Sequence, residues 1–330
     1  MANKLITIVG ITGNQASGAS VADAFINEPG WKIRGISRDT SKGSSKAWSD
    51  KGVEMVAADL DDAASLKVAF KGSNVIFGVT DFWQQMQIPA NQRKAQEINQ
   101  PVNVVAFEAE IQQGRNVVDA AQATVDTLDI LVLSVLGDSK KWSDGKITWN
   151  YHFEGKWRIV EYLQESYPGL YSKSSFFQPA FFMTNLDSLM APNKTPDGSY
   201  IQSFPLDGDK QIPMYHPRKD TGVLVKALVK SDPGQNLMGF GSFISFDEIV
   251  EIWSHNLGKP VTYHRSTVDD MDKAMPGGLG RELGEMMEYI NDPGYFGGDE
   301  AVKALNLIPP KQLEDMNLTD VREYLKGKTI

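Results

Sequence analysis

The stretch that decides the fold is Leu5-Ile-Thr-Ile-Val-Gly10-Ile-Thr-Gly13-Asn-Gln15-Ala-Ser-Gly18. A β-branched apolar run is followed at once by a glycine-rich turn and then by helical periodicity. In such a βα turn the first glycine permits the reversal, and the second lets the backbone approach a pyrophosphate at the positive end of the helix dipole. We therefore predict a dinucleotide-binding unit. Its expected cofactor contacts are Gly10, Thr12, Gly13, Asn14 and Gln15.

The third position of this turn is left open by the sequence. The spacing fits GxxGxxA with Ala16 in that place, or a slightly longer turn with Gly18 there. A glycine pattern alone also fits an ordinary turn between a strand and a helix. Its position between a first strand and a first helix favours the dinucleotide interpretation.

The first 140 residues alternate β-branched runs with helical periodicity, which indicates βαβ units and a parallel sheet. The predicted strands are Leu5 to Val9, Trp31 to Ser37, Val53 to Ala57, Val75 to Val79 and Leu128 to Leu133. The predicted helices are Ser20 to Asn27, Ala63 to Phe70 and Ala109 to Ala123. Nearly continuous apolar strands are typical of a sheet covered on both faces. The fold class predicted is α/β, with a doubly wound parallel sheet of the Rossmann type.

The second half of the chain is less regular. A helix is predicted over Trp149 to Ser166 and a strand over Ser174 to Gln178, after which prolines interrupt the pattern. Further helices are predicted over Thr221 to Lys230 and Phe246 to Asn256. We expect an NAD(P)-binding domain over residues 1–180, with short returns from the C-terminal half, and a smaller α/β lobe over 181–330.

Residues after the second strand indicate which cofactor is bound. An NAD-preferring fold usually places a carboxylate there for the ribose 2′-hydroxyl, whereas this chain has Arg38, with Lys42 following. A guanidinium forms charge-assisted contacts with a phosphate, so NADP(H) is favoured. Asp39 competes with this interpretation, because it could bind a 2′-hydroxyl.

Two further strand ends are expected to line the cofactor cleft. Asp59 and Leu60 follow the third strand, where an aspartate commonly faces the adenine amino group and a leucine covers the ring. Val79 and Thr80 follow the fourth strand, at the edge where ligands bind in open α/β sheets. We expect these two residues beside the nicotinamide ribose.

Composition excludes several classes of protein. The chain has 33 Lys plus Arg against 42 Asp plus Glu, a formal charge of −9 that disfavours direct nucleic-acid binding. With no cysteine, thiolate catalysis, disulfides and Cys-ligated metals are excluded. No metal is predicted, because the four histidines lack the spacing of metal ligands. They are His152, His216, His255 and His264. No window approaches the roughly 18 apolar residues of a membrane span, so a cytoplasmic or nuclear location is expected.

Taken together, motifs along nearly the whole chain resemble the NmrA-like group of atypical short-chain dehydrogenases, which is related to the isoflavone-reductase-like enzymes. The matching segments are Gly10-Ile-Thr-Gly-Asn-Gln15, Arg38, Asp59-Leu-Asp-Asp62, Val79-Thr-Asp-Phe-Trp83, Gln113-Gly-Arg-Asn-Val-Val-Asp-Ala-Ala121, Ser134-Val-Leu136, His152-Phe-Glu-Gly-Lys156, Gln178-Pro-Ala-Phe-Phe-Met-Thr-Asn185 and Asp220-Thr-Gly222. The resemblance implies an NADP(H)-binding Rossmann domain with a small lobe closing a cleft, and it implies cofactor contacts at Lys156, Pro179 and Phe181. It leaves activity open, because such a group contains both reductases and redox-sensing regulators.

The catalytic pattern departs from that of ordinary short-chain dehydrogenases, which use YxxxK to set a tyrosine acid beside a lysine. Here the residue four before Lys156 is His152, whereas Tyr151 lies five before it. On a helix i and i+4 share a face, so His152 is the aligned partner and the tyrosine acid is missing. The predicted catalytic residues are Lys156, His152 as a proton donor, and Ser134 as a group that polarises the substrate.

Two functions remain in competition on the sequence alone. The first is an NADPH-dependent reductase of a small organic C=O, C=N or C=C bond, and the second is a non-catalytic NADP(H) sensor that binds a protein partner such as a transcription regulator. Aromatic residues near the strand ends favour an apolar or aromatic substrate, although they also fit a core. They are Phe82, Trp83, Phe176, Phe177, Phe181 and Phe182. The sequence leaves the oligomeric state open.

Overall fold

The first half of the chain forms six strands and nine helices in the computed structural model, which describes residues 3–13 and 15–330. In chain order they are β1 (Lys4–Ile8), α1 (Ser17–Phe25), β2 (Trp31–Ser37), α2 (Gly43–Ser49), β3 (Glu54–Ala57), α3 (Ala63–Phe70), β4 (Val75–Gly78), α4 (Phe82–Gln87), α5 (Pro89–Glu97), α6 (Val102–Gln122), β5 (Ile130–Ser134), α7 (Ser139–Trp142), α8 (Tyr151–Ser166), α9 (Pro168–Tyr171) and β6 (Ser174–Pro179). Every strand and helix predicted for this half is present, with ends shifted by a few residues except α6, which begins seven residues earlier.

The second half contributes shorter strands and the remaining helices. They are β7 (Phe181–Phe182), β8 (Asn193–Lys194), β9 (Tyr200–Phe204), β10 (Ile212–Tyr215), α10 (Pro217–Lys230), β11 (Asn236–Gly239), β12 (Ser242–Ile244), α11 (Phe246–Leu257), β13 (Val261–Arg265), α12 (Val268–Ala274), α13 (Leu279–Asn291), α14 (Gly298–Ala304), β14 (Leu307–Ile308) and α15 (Val321–Leu325). Short 3₁₀ turns lie at Met183–Asp187 and Pro310–Gln312.

Eight parallel strands form the main sheet in the order β14-β11-β6-β5-β4-β1-β2-β3. Strand β1 lies between β2 and β4, so the direction of winding reverses at β1 and β4. Ligands bind at such a reversal, beyond the carboxyl ends of the strands. The predicted doubly wound α/β fold is confirmed. Strands β11 and β14 join this sheet from the C-terminal half of the chain.

Helices cover both faces of the sheet, as its apolar strands require. On one face Val21 and Phe25 of α1 pack with Leu224 and Leu228 of α10 and with strand residues such as Ile6. A second core, formed with helices α3, α6 and α8, includes Leu66, Val117 and Ile159. The second core holds α6 and α8 against the sheet, and these two helices carry the polar groups described below.

The remaining elements of the second half build a smaller α/β region. It contains the sheets β12-β10-β7 and β13-β9-β8 and a core that includes Phe246, Trp253 and Met287. Helix α13 also belongs to this core and contacts α8 through Phe153 and Tyr289, whose ring centroids lie 5.6 Å apart. The division at residue 180 stays a prediction.

Several helices were not predicted, and α13 is the most informative of them. Its apolar residues recur at regular helical spacing, at Leu279, Leu283, Met286, Met287 and Ile290. The helix also buries Glu282 and Glu285, which are 0 % and 6 % exposed. The periodicity was therefore present in the sequence, and the prediction did not make use of it.

Candidate functional site

A cleft of about 350 Å³ lies at the carboxyl ends of β1 and β4, where the winding of the sheet reverses. Ten of the predicted cofactor contacts line it, and Asn14 lies outside the described residues. The ten are Gly10, Thr12, Gly13, Gln15, Arg38, Lys42, Asp59, Leu60, Val79 and Thr80. The structure therefore brings together residues from four strand ends that are far apart in sequence.

The glycine-rich turn is shaped by a close backbone approach. Gly10 has φ +74°, and a Cβ on Gly18 would lie 2.5 Å from the carbonyl oxygen of Gly10. Ala16 instead precedes α1 with φ 61°. Because only a glycine permits α1 to come this near the turn, Gly18 rather than Ala16 holds the third position. This approach leaves the start of α1 open toward the cleft.

The end of the cleft that lies beyond β2 carries two cations. Arg38 and Lys42 are exposed, and neither forms a salt bridge with a carboxylate of the described residues. Asp39 Oδ1 accepts hydrogen bonds from the backbone nitrogen of Ser41 at 2.9 Å and from Ser41 Oγ at 2.6 Å. These bonds lower the pKa of Asp39, with the hydroxyl contact as the largest cause. Asp39 thus stabilises the loop that positions Lys42.

Helix α6 holds the loop that follows β3. Asn116 Nδ2 donates to the carbonyl oxygen of Leu60 at 2.7 Å, and Gln113 Nε2 donates to Asp61 Oδ1 at 2.9 Å. Gln113 also lines the cleft. Sequence analysis assigned no role to these two amides. Polar side chains on the buried face of a long helix were the signal that could have revealed them.

A hydrogen bond connects two sides of the cleft. Gln15 Nε2, in the glycine-rich turn, donates to Asp81 Oδ1 at 3.0 Å, and both residues line the cleft. Asp81 also accepts from the backbone nitrogen of Gln84 at 3.2 Å as the N-cap of α4. Burial raises the pKa of Asp81 despite these contacts. The turn after β1 and the loop after β4 are therefore linked directly.

Lys156 lies near the cleft but does not line it. Its Nζ is 2.6 Å from Glu110 Oε1, 3.0 Å from Thr80 Oγ1 and 3.0 Å from the carbonyl oxygen of Thr80. The Thr80 hydroxyl donates to Glu110 at 2.7 Å, and the Glu110 side chain is 0 % exposed. An ammonium has three N–H donors, and here each has an acceptor. Lys156 thus joins α8 to α6 and to the end of β4.

His152 is held by a different carboxylate. Its Nδ1 lies 2.6 Å from Glu282 Oε1, which also accepts from the His152 backbone nitrogen at 3.0 Å. Asn103 Nδ2 donates to the other oxygen of Glu282 at 3.0 Å. The rings of Trp83 and Phe82 lie 4.8 and 5.9 Å from the imidazole ring. His152 and Lys156 therefore share a helix face, as predicted, but each is paired with its own buried glutamate.

Tyr151 lies away from Lys156, as the helix geometry predicted. Its ring packs 5.1 Å from that of Phe107 on α6 and 5.8 Å from that of Trp149. Burial, followed by the charges of Glu282 and Glu285, raises the pKa of the Tyr151 hydroxyl. This tyrosine is not arranged as the acid of a YxxxK dyad.

The other predicted site residues lie outside the cleft lining. Ser134 ends β5, is 9 % exposed and borders a gap of about 10 Å³ together with Val79 and Thr80. Pro179 ends β6, and its carbonyl oxygen accepts from Tyr295 Oη at 3.1 Å. Phe181 is 4 % exposed in the core of the C-terminal region. Their assignment as cofactor or substrate contacts stays a prediction.

Comparison with known proteins decides the family. The profile of the NmrA-like family matches residues 2–325. The chain belongs to the NmrA-like family. The resemblance noted in the sequence is confirmed over nearly its whole length.

Several relatives of this NmrA-like protein have been described. The NmrA-like family domain-containing oxidoreductase FrzB of Cladobotryum sp is 24% identical over 278 residues, covering 78% of this chain and 75% of the relative. The negative transcriptional regulator NmrA, crystallised with NADP, is 18% identical with a TM-score of 0.68, covering 99% and 95% of the two chains. It has also been crystallised with NAD. The NADPH-dependent quinone oxidoreductase QOR2 of Escherichia coli, complexed with NADPH, is 19% identical with a TM-score of 0.69, covering 97% and 98%.

Two further observations concern what the described residues lack. Over residues 3–13 and 15–330, no helix is long and apolar enough to cross a membrane. In the same part of the chain, no three His, Asp or Glu side chains are grouped as metal ligands.

The two glutamates paired with α8 are the site residues that sequence analysis missed. Glu110 and Glu282 are both 0 % exposed, and they lie 46 and 130 residues from their partners. An acid at a position on the buried face of each helix was the available signal, because a carboxylate is rarely buried without a partner. The identity of each partner could not be read from that signal.

The Lys156–Glu110 pair yields a prediction about stability. Removing one partner of a buried ion pair leaves the other charge uncompensated and costs about 3–5 kcal/mol. We expect Lys156→Met and Glu110→Gln each to lower the urea midpoint of unfolding strongly. The double variant should lose much less free energy of unfolding than the two single variants lose together, because neither charge of the pair remains. Additive losses in this double-mutant cycle would show that the two groups do not act as a pair.

Proposed function

We propose that this NmrA-like protein binds NADP(H) and reduces a C=O, C=N or C=C bond of a small organic molecule. The observation that carries the proposal is the cleft itself, which has an open helix start at one end and, at the other, two cations that form no salt bridge within the described residues. In this interpretation residues 1–180 bind the cofactor, and residues 181–330 form most of the substrate side.

The residues present fit this cofactor. The approach of Gly18 to Gly10 leaves backbone N–H groups at the start of α1 free of a covering side chain, which suits a pyrophosphate. Arg38 and Lys42 suit a 2′-phosphate, because neither forms a salt bridge with a carboxylate over residues 3–13 and 15–330. Asp39 does not oppose them strongly, since one of its oxygens is already bonded to Ser41.

When bound, NADPH supplies a hydride to the substrate. The residues of the chain position it: Lys156 and Glu110 hold the Thr80 carbonyl and hydroxyl, and so fix the end of β4 beside Val79. Because Lys156 is neutralised by Glu110, it adds little net charge near the reacting atoms. His152 is oriented by Glu282, which leaves Nε2 as the ring nitrogen available to other groups.

The relatives support a reductase. FrzB is named an oxidoreductase, and QOR2 reduces quinones with NADPH according to its name. Both cover most of this chain at low identity, so they support the reaction class and leave the substrate undetermined.

One observation favours the second candidate, a sensor that binds NADP(H) without turnover. All three Lys156 donors are already bonded to protein groups, and Glu282 occupies one of the two His152 nitrogens, so His152 Nε2 is the one position of this pair left for an acid. NmrA, a structural neighbour, is a transcriptional regulator that has been crystallised with both NADP and NAD. In the sensor interpretation, the redox state of the cofactor bound in the cleft would change the affinity for a protein partner.

The cofactor assignment predicts the effect of removing one cation. Arg38→Ala should weaken NADP⁺ binding by roughly 1.5–3 kcal/mol, the contribution of a charge-assisted hydrogen bond, and should leave NAD⁺ binding nearly unchanged. Lys32→Ala, on the exposed side of β2 outside the cleft, is a matched control. Calorimetric titration of both cofactors measures the difference. Equal affinities for NADP⁺ and NAD⁺ in the unaltered protein would remove the basis of the assignment.

Turnover separates the two functions. The unaltered protein should consume NADPH, followed by its absorbance, with at least one of duroquinone, cyclohexenone, acetophenone and a cyclic imine. His152→Phe keeps an aromatic ring but removes the nitrogen donors. If the reaction uses His152 as its acid, the rate of NADPH consumption should fall by ~10²–10⁴-fold. The affinity for the cofactor should be retained. Intact NADP⁺ binding with no consumption of NADPH by any of the four compounds would favour the sensor.

A further inference from the structure

The family resemblance implies a cofactor contact at Lys156, but its ammonium has no donor to spare. The three N–H donors already have Glu110 Oε1 at 2.6 Å, Thr80 Oγ1 at 3.0 Å and the Thr80 carbonyl oxygen at 3.0 Å as acceptors. Lys156 also does not line the cleft. The ribose hydroxyls of a bound dinucleotide are therefore left to other polar groups at this end of the cleft.

The order of the strands indicates where each part of the dinucleotide would lie. Strand β1 lies between β2 and β4 in the main sheet. With the 2′-phosphate at Arg38 and Lys42 after β2, and the pyrophosphate at the turn after β1, the nicotinamide ribose falls beside the end of β4. The lining residues that follow β4 are Val79, Thr80, Asp81 and Gln84.

Asp81 has a carboxylate oxygen left for a new donor. Its Oδ1 accepts from Gln15 Nε2 at 3.0 Å and from the backbone nitrogen of Gln84 at 3.2 Å. Over residues 3–13 and 15–330, its Oδ2 forms no hydrogen bond of ordinary geometry, yet this atom is not sealed from solvent. Two bonds thus orient a carboxylate that lines the cleft and still has one oxygen unused.

The surroundings of Asp81 determine what this oxygen can bind. Burial raises the pKa of Asp81, because its charge is poorly solvated, while the charge of Lys156 lowers the pKa and that of Glu110 raises it. Further hydrogen-bond donors would replace the missing solvation of the carboxylate. A ribose offers two hydroxyl donors on neighbouring carbons, and dinucleotide-binding folds commonly pair a carboxylate with a ribose hydroxyl.

We propose that the Asp81 carboxylate, rather than Lys156, binds the 2′- and 3′-hydroxyls of the nicotinamide ribose, with Oδ2 as their acceptor. The inference rests on the proposed binding of NADP(H) and adds a contact that determines where the nicotinamide ring lies. Lys156 then acts indirectly, by fixing Thr80 and so the segment from which Asp81 extends.

Two variants of Asp81 test this contact. Asp81→Ser retains a side chain that can cap α4 but removes the carboxylate, so NADP⁺ affinity should fall roughly 10–100-fold, as for the loss of a hydrogen bond to a charged group. Asp81→Asn can keep both contacts of Oδ1 and loses only the charge and the free oxygen, so its loss of affinity should be smaller, about 10-fold. Calorimetric titration measures both. Full NADP⁺ affinity in Asp81→Asn would overturn the proposal, because the effect of Asp81→Ser would then come from the lost bond to Gln15.

Asp320 provides matched controls. It is likewise a partly exposed aspartate that caps a short helix, α15, through backbone nitrogens, and it lies outside the cleft lining. Asp320→Ser and Asp320→Asn should leave NADP⁺ affinity unchanged.

The ligand can be altered in the same way as the protein. An NADP⁺ analogue with a 2′,3′-dideoxy nicotinamide ribose lacks the hydroxyls assigned to Asp81. The unaltered protein should bind this analogue roughly 10–100-fold more weakly than NADP⁺, whereas Asp81→Ser should bind the two with equal affinity. If Asp81→Ser weakens both ligands by the same factor, Asp81 does not act on these hydroxyls and the proposal is overturned.

Adenosine 2′,5′-bisphosphate tests the other half of the cleft. It carries the 2′-phosphate and has no nicotinamide ribose, so the Asp81 variants should bind it as tightly as the unaltered protein does. A fall equal to that for NADP⁺ would show that the substitutions disturb the whole cleft, and it would overturn the ribose contact.

The outcomes separate this inference from the proposed function. If the unaltered protein binds neither NADP⁺ nor adenosine 2′,5′-bisphosphate, the cofactor assignment fails, and the ribose contact fails with it. If both ligands bind but the Asp81 variants still discriminate against the dideoxy analogue, the ribose contact alone is overturned and the cofactor assignment survives. None of these measurements requires turnover, so they apply equally to a reductase and to a sensor.

Discussion

Two buried glutamates hold α8 in place, and the geometry of the site depends on them. Glu110 reaches the helix from α6 through Lys156, and Glu282 reaches it from α13 through His152 and its backbone nitrogen. A carboxylate that is 0 % exposed is stable only with close partners, because the alternative is an uncompensated charge in a poorly polarisable interior. The Glu282 pair connects α8 to the C-terminal region, and the Glu110 pair fixes α8 relative to the end of β4.

The two ends of the cleft use charge in opposite ways. At the end of the cleft beside β2, Arg38 and Lys42 are exposed and form no salt bridge within the described residues, so they can bind an anion without first losing a partner. At the β4 end each Lys156 donor has an acceptor, and Asp81 is linked to Gln15. A chain with a net charge of −9 therefore keeps two exposed cations together at the end of β2, whereas the charge of Lys156 near β4 is balanced by Glu110.

The choice between enzyme and sensor depends on which donors are free to meet a substrate. The pairings of Lys156 and His152 weaken the case for proton transfer by either, and Tyr151 is turned toward Phe107. Of the six aromatic residues near the strand ends, Phe82, Phe176, Phe177 and Phe181 are core residues. Trp83 and Phe182 are only partly buried. An apolar substrate would thus meet fewer aromatic rings than the sequence suggested.

The sequence by itself determined the features that depend on neighbouring residues. Strand β2 and helix α3 were predicted to the residue, because β-branched runs and apolar periodicity are local signals. The glycine-rich turn, Arg38 in place of an acid and the alignment of His152 with Lys156 are local as well. Tertiary structure decided the rest: Gly18 takes the third turn position because α1 approaches Gly10, and Glu110 and Glu282 find partners 46 and 130 residues away. Such contacts depend on how helices pack over the sheet, and no spacing along the chain records that packing.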